Sequence, residues 1–118
     1  MPGQRTAAVI LGLAVALGAM GAHAFEKILE ANDRIDVWET AALYQLMHGL
    51  ALWLNHQSVN PSRVAAWSFV IGVIIFSGSL YLLALTNIRW LGAITPIGGT
   101  AFLVGWGALI FKRPKKDA

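Results

Sequence analysis

Phe76-Ser77-Gly78-Ser79-Leu80-Tyr81-Leu82-Leu83 and, a little further on, Thr95-Pro96-Ile97-Gly98-Gly99 decide the fold of this chain. Both stretches sit in runs apolar enough to cross a bilayer, and both set small and hydroxylated residues into them. Membrane helices use that composition where backbones approach closely and where a hydroxyl bonds across an interface. The pattern implies a polytopic membrane protein with close helix contacts. The rest of the chain agrees. Its 118 residues are 57% hydrophobic and 13% charged, with a mean hydropathy of +0.61. Soluble domains carry about 25% charged residues, and a water-soluble core of this length has no room to hide so much apolar surface. The absence of cysteine removes disulfides, thiolate metal sites and cysteine nucleophiles.

Four apolar segments approach the ~20 residues that a spanning helix needs. They run from Thr6 to Phe25, Val37 to Leu54, Val64 to Thr86 and Leu91 to Phe111, and the second is the most polar. The expected architecture is an all-α bundle of four transmembrane helices forming a single membrane domain over residues 1–118. Between the first two spans lies an acidic outer loop, Glu26 to Asp36, whose Phe25, Ile28, Leu29 and Asn32 follow helical spacing. Asn60-Pro61-Ser62 is a turn signal that also suits the cap of the third helix. Asn87-Ile88-Arg89 reads as a tight hairpin.

Charge sets the expected orientation. Arg5, Arg63, Lys112, Arg113, Lys115 and Lys116 share one side, against Lys27, Arg34 and Arg89 on the other. The positive-inside rule then places both termini, with the basic tail 112–118, in the cytoplasm. Trp38 and Trp90 fall at the outer interface and Trp53 and Trp67 at the inner one, as an aromatic belt requires. Arg5, the apolar run and Ala22-His23-Ala24 also have the look of a secretory signal peptide with a small-residue cleavage site. We read the segment as a retained first span.

Gly18-Ala19-Met20-Gly21-Ala22-His23, Tyr44-Gln45 with His48, the run from Phe76 to Thr86, and Thr95-Pro96-Ile97-Gly98-Gly99 with Gly105-Trp106 occur in that order. In these motifs the chain resembles the YgdD-like family of small bacterial inner-membrane proteins, a domain of unknown function with a similar small transmembrane protein in animal mitochondria. Met20 stands where that family commonly has an aromatic residue, and Gly49 where it has alanine. The resemblance implies a four-helix integral membrane protein and supplies no reaction, cofactor or catalytic residue.

Polar side chains inside a membrane are costly, so each is a candidate. His48 lies ten residues past Trp38, about 15 Å into the bilayer at ~1.5 Å per residue, and Ser77 reaches a similar depth. The two are placed to face each other. Tyr44 shares the helix face of His48, and His23, Tyr81 and Thr95 fall in the outer third. The seam admits a functional reading, a headgroup site for a quinone or lipid or a proton path through an imidazole that titrates near neutrality. It also admits a structural one, interhelical hydrogen bonds that fix register. Bis-histidine haem ligation by His23 and His48 fits poorly, because their depths differ by about 10 Å. Zinc lacks enough ligands even if Glu39 approaches His23. No cofactor is expected.

The glycines are read as packing residues. Ala14, Gly18 and Ala22 recur every four residues in the first span, and Ala101 and Gly105 do so in the fourth. Gly78, Gly98 and Gly99 belong to the same expectation, with a cavity or hinge at Pro96-Gly98-Gly99 as its competitor. Pro96 is expected to kink the fourth span and free a carbonyl near position 92.

No hydrolase, metalloprotease, phosphate-loop or dinucleotide motif is present. The interior holds no carboxylate apart from Glu39 at its edge, which weighs against ion-coupled transport. The expected partners are the lipid bilayer and other integral membrane proteins or a second copy, with no nucleic acid. The expected role is non-enzymatic: an accessory or structural subunit in the bacterial cytoplasmic membrane. Binding of a lipid-soluble small molecule through His48, Tyr44 and Ser77 is the alternative.

Overall fold

A computed structural model describes residues 1–113, and over them the only regular structure is helical. Lys115 and Lys116 of the basic tail lie outside the described residues. The elements are α1 (Gln4–Ala22), α2 (Glu26–Ala31), α3 (Ile35–Gln57), α4 (Arg63–Gly72), α5 (Gly78–Thr86) and α6 (Thr95–Ile110). A π-helical turn, Val73–Ser77, joins α4 to α5, and a 3₁₀ segment, Arg89–Ala93, leads into α6.

Among the described residues, three helical stretches are long and apolar enough to cross a membrane: Gln4–Ala22, Arg63–Thr86 and Arg89–Ile110. α3 matches them in length, at 23 residues, but is more polar. The reason lies in its buried stripe. Trp38, Ala41, Gln45, His48, Leu52 and Asn55 are all buried and follow one another at alternating steps of three and four. That is the seam geometry of coiled-coil packing. In α3 the polar residues Gln45, His48 and Asn55 face the other helices, and Leu43, Leu46, Met47, Leu50 and Leu54 are exposed.

α4 and α6 interlock through aromatic rings and missing side chains. Phe102 of α6 fills the notch at Gly72, where an added Cβ would lie 2.5 Å from the ring Cε1. Phe69 of α4 fills the notch at Gly105 in the same way, with its Cε1 2.5 Å from the position of a Cβ. At Gly98 the neighbour is backbone: a Cβ there would collide with the Phe76 nitrogen and lie 2.7 Å from its Cα. Ala65, Phe69, Val73 and Phe102 form the core of this contact.

On α1 the small buried positions are Ala7, Ala14 and Gly21, seven residues apart. This corrects the expectation for Gly18 and Ala22. Gly18 has open space where a Cβ would sit, and Ala22 is exposed. A seven-residue step nearly completes two helical turns and stays on the α3 side, whereas successive four-residue steps drift around the helix. Gly78 likewise has no neighbour within 4 Å of an added Cβ, and Gly99 meets the Phe76 ring only at an ordinary 3.8 Å.

Pro96 occupies the first turn of α6, just after the 3₁₀ segment Arg89–Ala93. An N–H at that position has no helical partner to lose, and the fixed φ of proline suits it. Ser62 caps α4, its hydroxyl accepting the Ala65 N–H at 3.1 Å. The α5–α6 turn closes at Asn87, which adopts a left-handed conformation with φ of 56°. α2 docks onto that end of the bundle: Asn32 Nδ2 donates to the carbonyls of Ala84 (2.9 Å) and Leu85 (3.2 Å), satisfying the terminal turn of α5.

Candidate functional site: a polar centre on α3

α3 carries the polar centre because its inward stripe places Gln45 and His48 between the other helices. His48 is 3% exposed. Its Nδ1 lies 2.8 Å from the Tyr44 carbonyl one turn back, and its Nε2 accepts the indole N–H of Trp106 at 3.0 Å. A carbonyl only accepts and an indole only donates. The partners therefore assign the neutral tautomer with the proton on Nδ1. The ring stacks on Phe102 with centroids 3.6 Å apart and 11° between planes, and meets Phe69 edge-on at 5.4 Å. Both nitrogens are engaged, and one face is covered.

Gln45 is the second hub. Its Nε2 donates to the Ile10 carbonyl of α1 at 2.9 Å, and its Oε1 accepts the Tyr81 hydroxyl of α5 at 2.7 Å. One side chain thus ties three helices. Ser77, in the π turn, donates to the Ala41 carbonyl of α3 at 2.8 Å. Ser79 Oγ and Thr95 Oγ1 are 2.7 Å apart, with Ser79 also reaching the Phe76 carbonyl at 3.0 Å. At the other end of α3, Asn55 holds Ser62 by both its N–H and its carbonyl, each at 3.0 Å.

The expected seam is therefore dispersed into separate contacts. His48 does not meet Ser77; each bonds a different element. Tyr44 lends His48 its carbonyl, while its ring packs with Phe76 at 4.7 Å. Tyr81 and Gln45 form one pair and Thr95 and Ser79 another. His23 lies exposed in the turn after α1 and shares no contact with His48. Among the described residues no three histidine or acidic side chains are grouped to hold a metal ion. All buried side-chain nitrogens and oxygens among these residues have a hydrogen-bond partner.

Sequence reading missed Gln45, Asn55 and Trp106 as partners, and Trp38, whose indole donates to the Leu17 carbonyl at 2.7 Å. The signal was present for α3: Gln45, His48 and Asn55 stand in one alternating three-four register. For Trp106 there was none, because its neighbour in space is 58 positions away.

These features define a small all-helical membrane protein whose interior polar groups bond to one another. The family model described as "Protein of unknown function (DUF423)" matches residues 17–99, and the chain belongs to that family. It is 47% identical over 112 residues to UPF0382 membrane protein SSP2132 of Staphylococcus saprophyticus, covering 86% of this chain and 92% of that one. To UPF0382 membrane protein YwdK of Bacillus subtilis it is 39% identical over 109 residues, covering 83% and 88%. No solved structure matches. No activity is established for the family.

Proposed function

We propose that the chain crosses the bacterial cytoplasmic membrane four times, with both termini cytoplasmic, and serves as a non-enzymatic accessory subunit packed against other membrane proteins or itself. The observation that carries this reading is the closed hydrogen bonding of the polar centre. Trp106 with His48, Gln45 with Ile10 and Tyr81, Ser77 with Ala41, and Ser79 with Thr95 bond from one helical element to another, which is what register-fixing residues do. α3 counts as the fourth span because its length is ~34 Å at 1.5 Å per residue and its outward face is apolar from Leu43 to Leu54. The retained first span is supported by its bonds to Trp38 and Gln45. The exposed apolar faces of α1 and α6, including Val9, Leu13, Val15, Ile97, Leu103 and Val104, suit lipid or protein neighbours.

Native mass spectrometry of the protein gently extracted from its own membrane tests the role. Other polypeptides or further copies at fixed stoichiometry are expected. A lone chain carrying one defined small adduct, lost on His48→Ala, would replace this reading with that of a small-molecule binder. Reporter fusions at each terminus test the orientation, and an external N-terminus would overturn it.

A further inference from the structure

α3 and α6 meet at one level and part beyond it. They are joined where His48 accepts the Trp106 N–H at 3.0 Å and stacks on Phe102 at 3.6 Å. Past that junction α3 offers only the methyl of Ala51, and a groove of about 260 Å³ lies open between the two helices. Ala51, Leu54, Trp106 and Leu109 line its length, and Asn55, Ser58 and Lys112 its mouth. The groove is therefore graded, apolar beside the polar centre and polar only over the last turn of α3 and just past the end of α6. We propose that it binds one anionic phospholipid, with an acyl chain along Ala51, Leu54 and Leu109 and the phosphate at the Lys112 ammonium.

The tail follows from the surroundings and rests on α3 spanning the bilayer. Leu54 is 67% exposed and Trp106 40%, so the groove opens sideways, toward hydrocarbon. Left unfilled, it would forfeit dispersion contacts along its whole lining, and lipid chains are what can enter from that side. The head follows from the polar groups still uncommitted. Asn55 spends its side chain on Ser62, donating to one backbone group and accepting from another. The Ser58 hydroxyl donates to the Asn55 carbonyl at 2.7 Å, and the Trp106 N–H is taken by His48. Lys112 is the remaining donor of the lining, half-buried so that its stem follows the groove while its ammonium reaches the mouth. An ammonium only donates, so the head it suits is an acceptor with negative charge. The wider field agrees. The acids among the described residues all fall between Glu26 and Glu39, at the far end of α3, whereas Arg5, Arg63 and Arg113 lie at this end. A cation just past α6 also complements the helix dipole, but that does not account for the apolar groove leading to it. A zwitterionic lipid brings its own ammonium and gains less from Lys112.

The test is native mass spectrometry of the purified full-length protein in micelles, titrated with dioleoyl phosphatidylglycerol or dioleoyl phosphatidylcholine and read as the dissociation constant of the first bound lipid. A micelle has no leaflets, so the result does not depend on the orientation that the reporter fusions test, and either reading can fail alone. We expect phosphatidylglycerol to bind about fivefold more tightly than phosphatidylcholine, the factor for one basic side chain at an anionic surface. Lys112→Gln should abolish that preference and Lys112→Arg should keep it. Arg5→Gln removes the same charge from the same end but outside the groove, and should leave the preference intact. Ala51→Phe fills the groove and should weaken the first binding step for both lipids, with helical content and elution volume unchanged. Lys112→Gln, placed beyond the end of α6, decides the matter should Ala51→Phe fail to fold. Equal affinity for the two lipids, an unchanged preference in Lys112→Gln, or an equal loss in Arg5→Gln would overturn the proposal, the last by assigning the preference to the charge of the whole face. A second copy that lipid does not displace and Ala51→Phe removes would assign the groove to protein contact and likewise overturn it.

Discussion

Gly98→Ala tests the α4–α6 interlock at its tightest point. The new methyl would collide with the backbone nitrogen of Phe76 and sit 2.7 Å from both its Cα and its Cβ. No rotamer change relieves that clash, because the obstructing atoms are main chain in the π turn. α6 has to withdraw by roughly 1 Å, and a gap of that size forfeits a quarter to a half of each dispersion contact it opens. The contacts at stake are Phe102 in the Gly72 notch and Phe69 in the Gly105 notch. Overpacking costs about 1–3 kcal/mol, and the rigid partner puts Gly98→Ala toward the upper end. The helix preference of alanine over glycine offsets at most about 1 kcal/mol. Gly18→Ala is the internal control, since its Cβ meets nothing within 4 Å, and should be neutral or slightly stabilising. Reversible unfolding in mixed micelles at rising dodecyl sulfate fraction, followed by far-ultraviolet circular dichroism, gives both free energies. If Gly98→Ala fell within about 0.5 kcal/mol of Gly18→Ala, the usual scatter for substitutions away from such features, the interlock would be wrong.

The same assay serves the remaining predictions. A double-mutant cycle on His48→Ala and Trp106→Phe should return a coupling near 0.6 kcal/mol, the average for a hydrogen bond between membrane helices; zero coupling would mean the indole N–H does not bond to Nε2. Gln45→Leu orphans the Tyr81 hydroxyl and should cost about 1–3 kcal/mol, and adding Tyr81→Phe should recover part of that loss. A strictly additive double variant would break the link between them. Ser62→Ala removes the α4 cap and should cost about 1 kcal/mol, whereas an unchanged unfolding midpoint would show that Asn55 alone holds the turn.

The helical class and the approximate bounds of the apolar stretches were legible in the chain itself. Hydropathy is a sum over neighbours in sequence, and a bilayer reads it in the same way. The Ser62 cap and the Asn87 turn were also legible, because a cap or a left-handed residue depends on a few adjacent positions. α3 marks the limit. Gln45, His48 and Asn55 lower its apolar character, yet the same residues, in alternating three-four register, reveal that it is the helix the others gather around.

Which glycines pack, and what each polar group bonds to, was decided by tertiary structure alone. A four-residue spacing of small residues on α1 looked like a contact face, but the contact follows a seven-residue spacing through Ala7, Ala14 and Gly21. Gly18 was left facing an open cleft. His48 and Ser77 were matched in depth, but depth does not fix azimuth. The rotation of α4 through the π turn sends Ser77 to the Ala41 carbonyl, and the lateral position of α6 brings Trp106 to His48. Composition and periodicity determine how far a residue lies along its helix and which face it shares. The helix that face meets is set by the packing of Phe69, Phe76 and Phe102 against Gly105, Gly98 and Gly72, an agreement among positions too distant in sequence for local pattern to record.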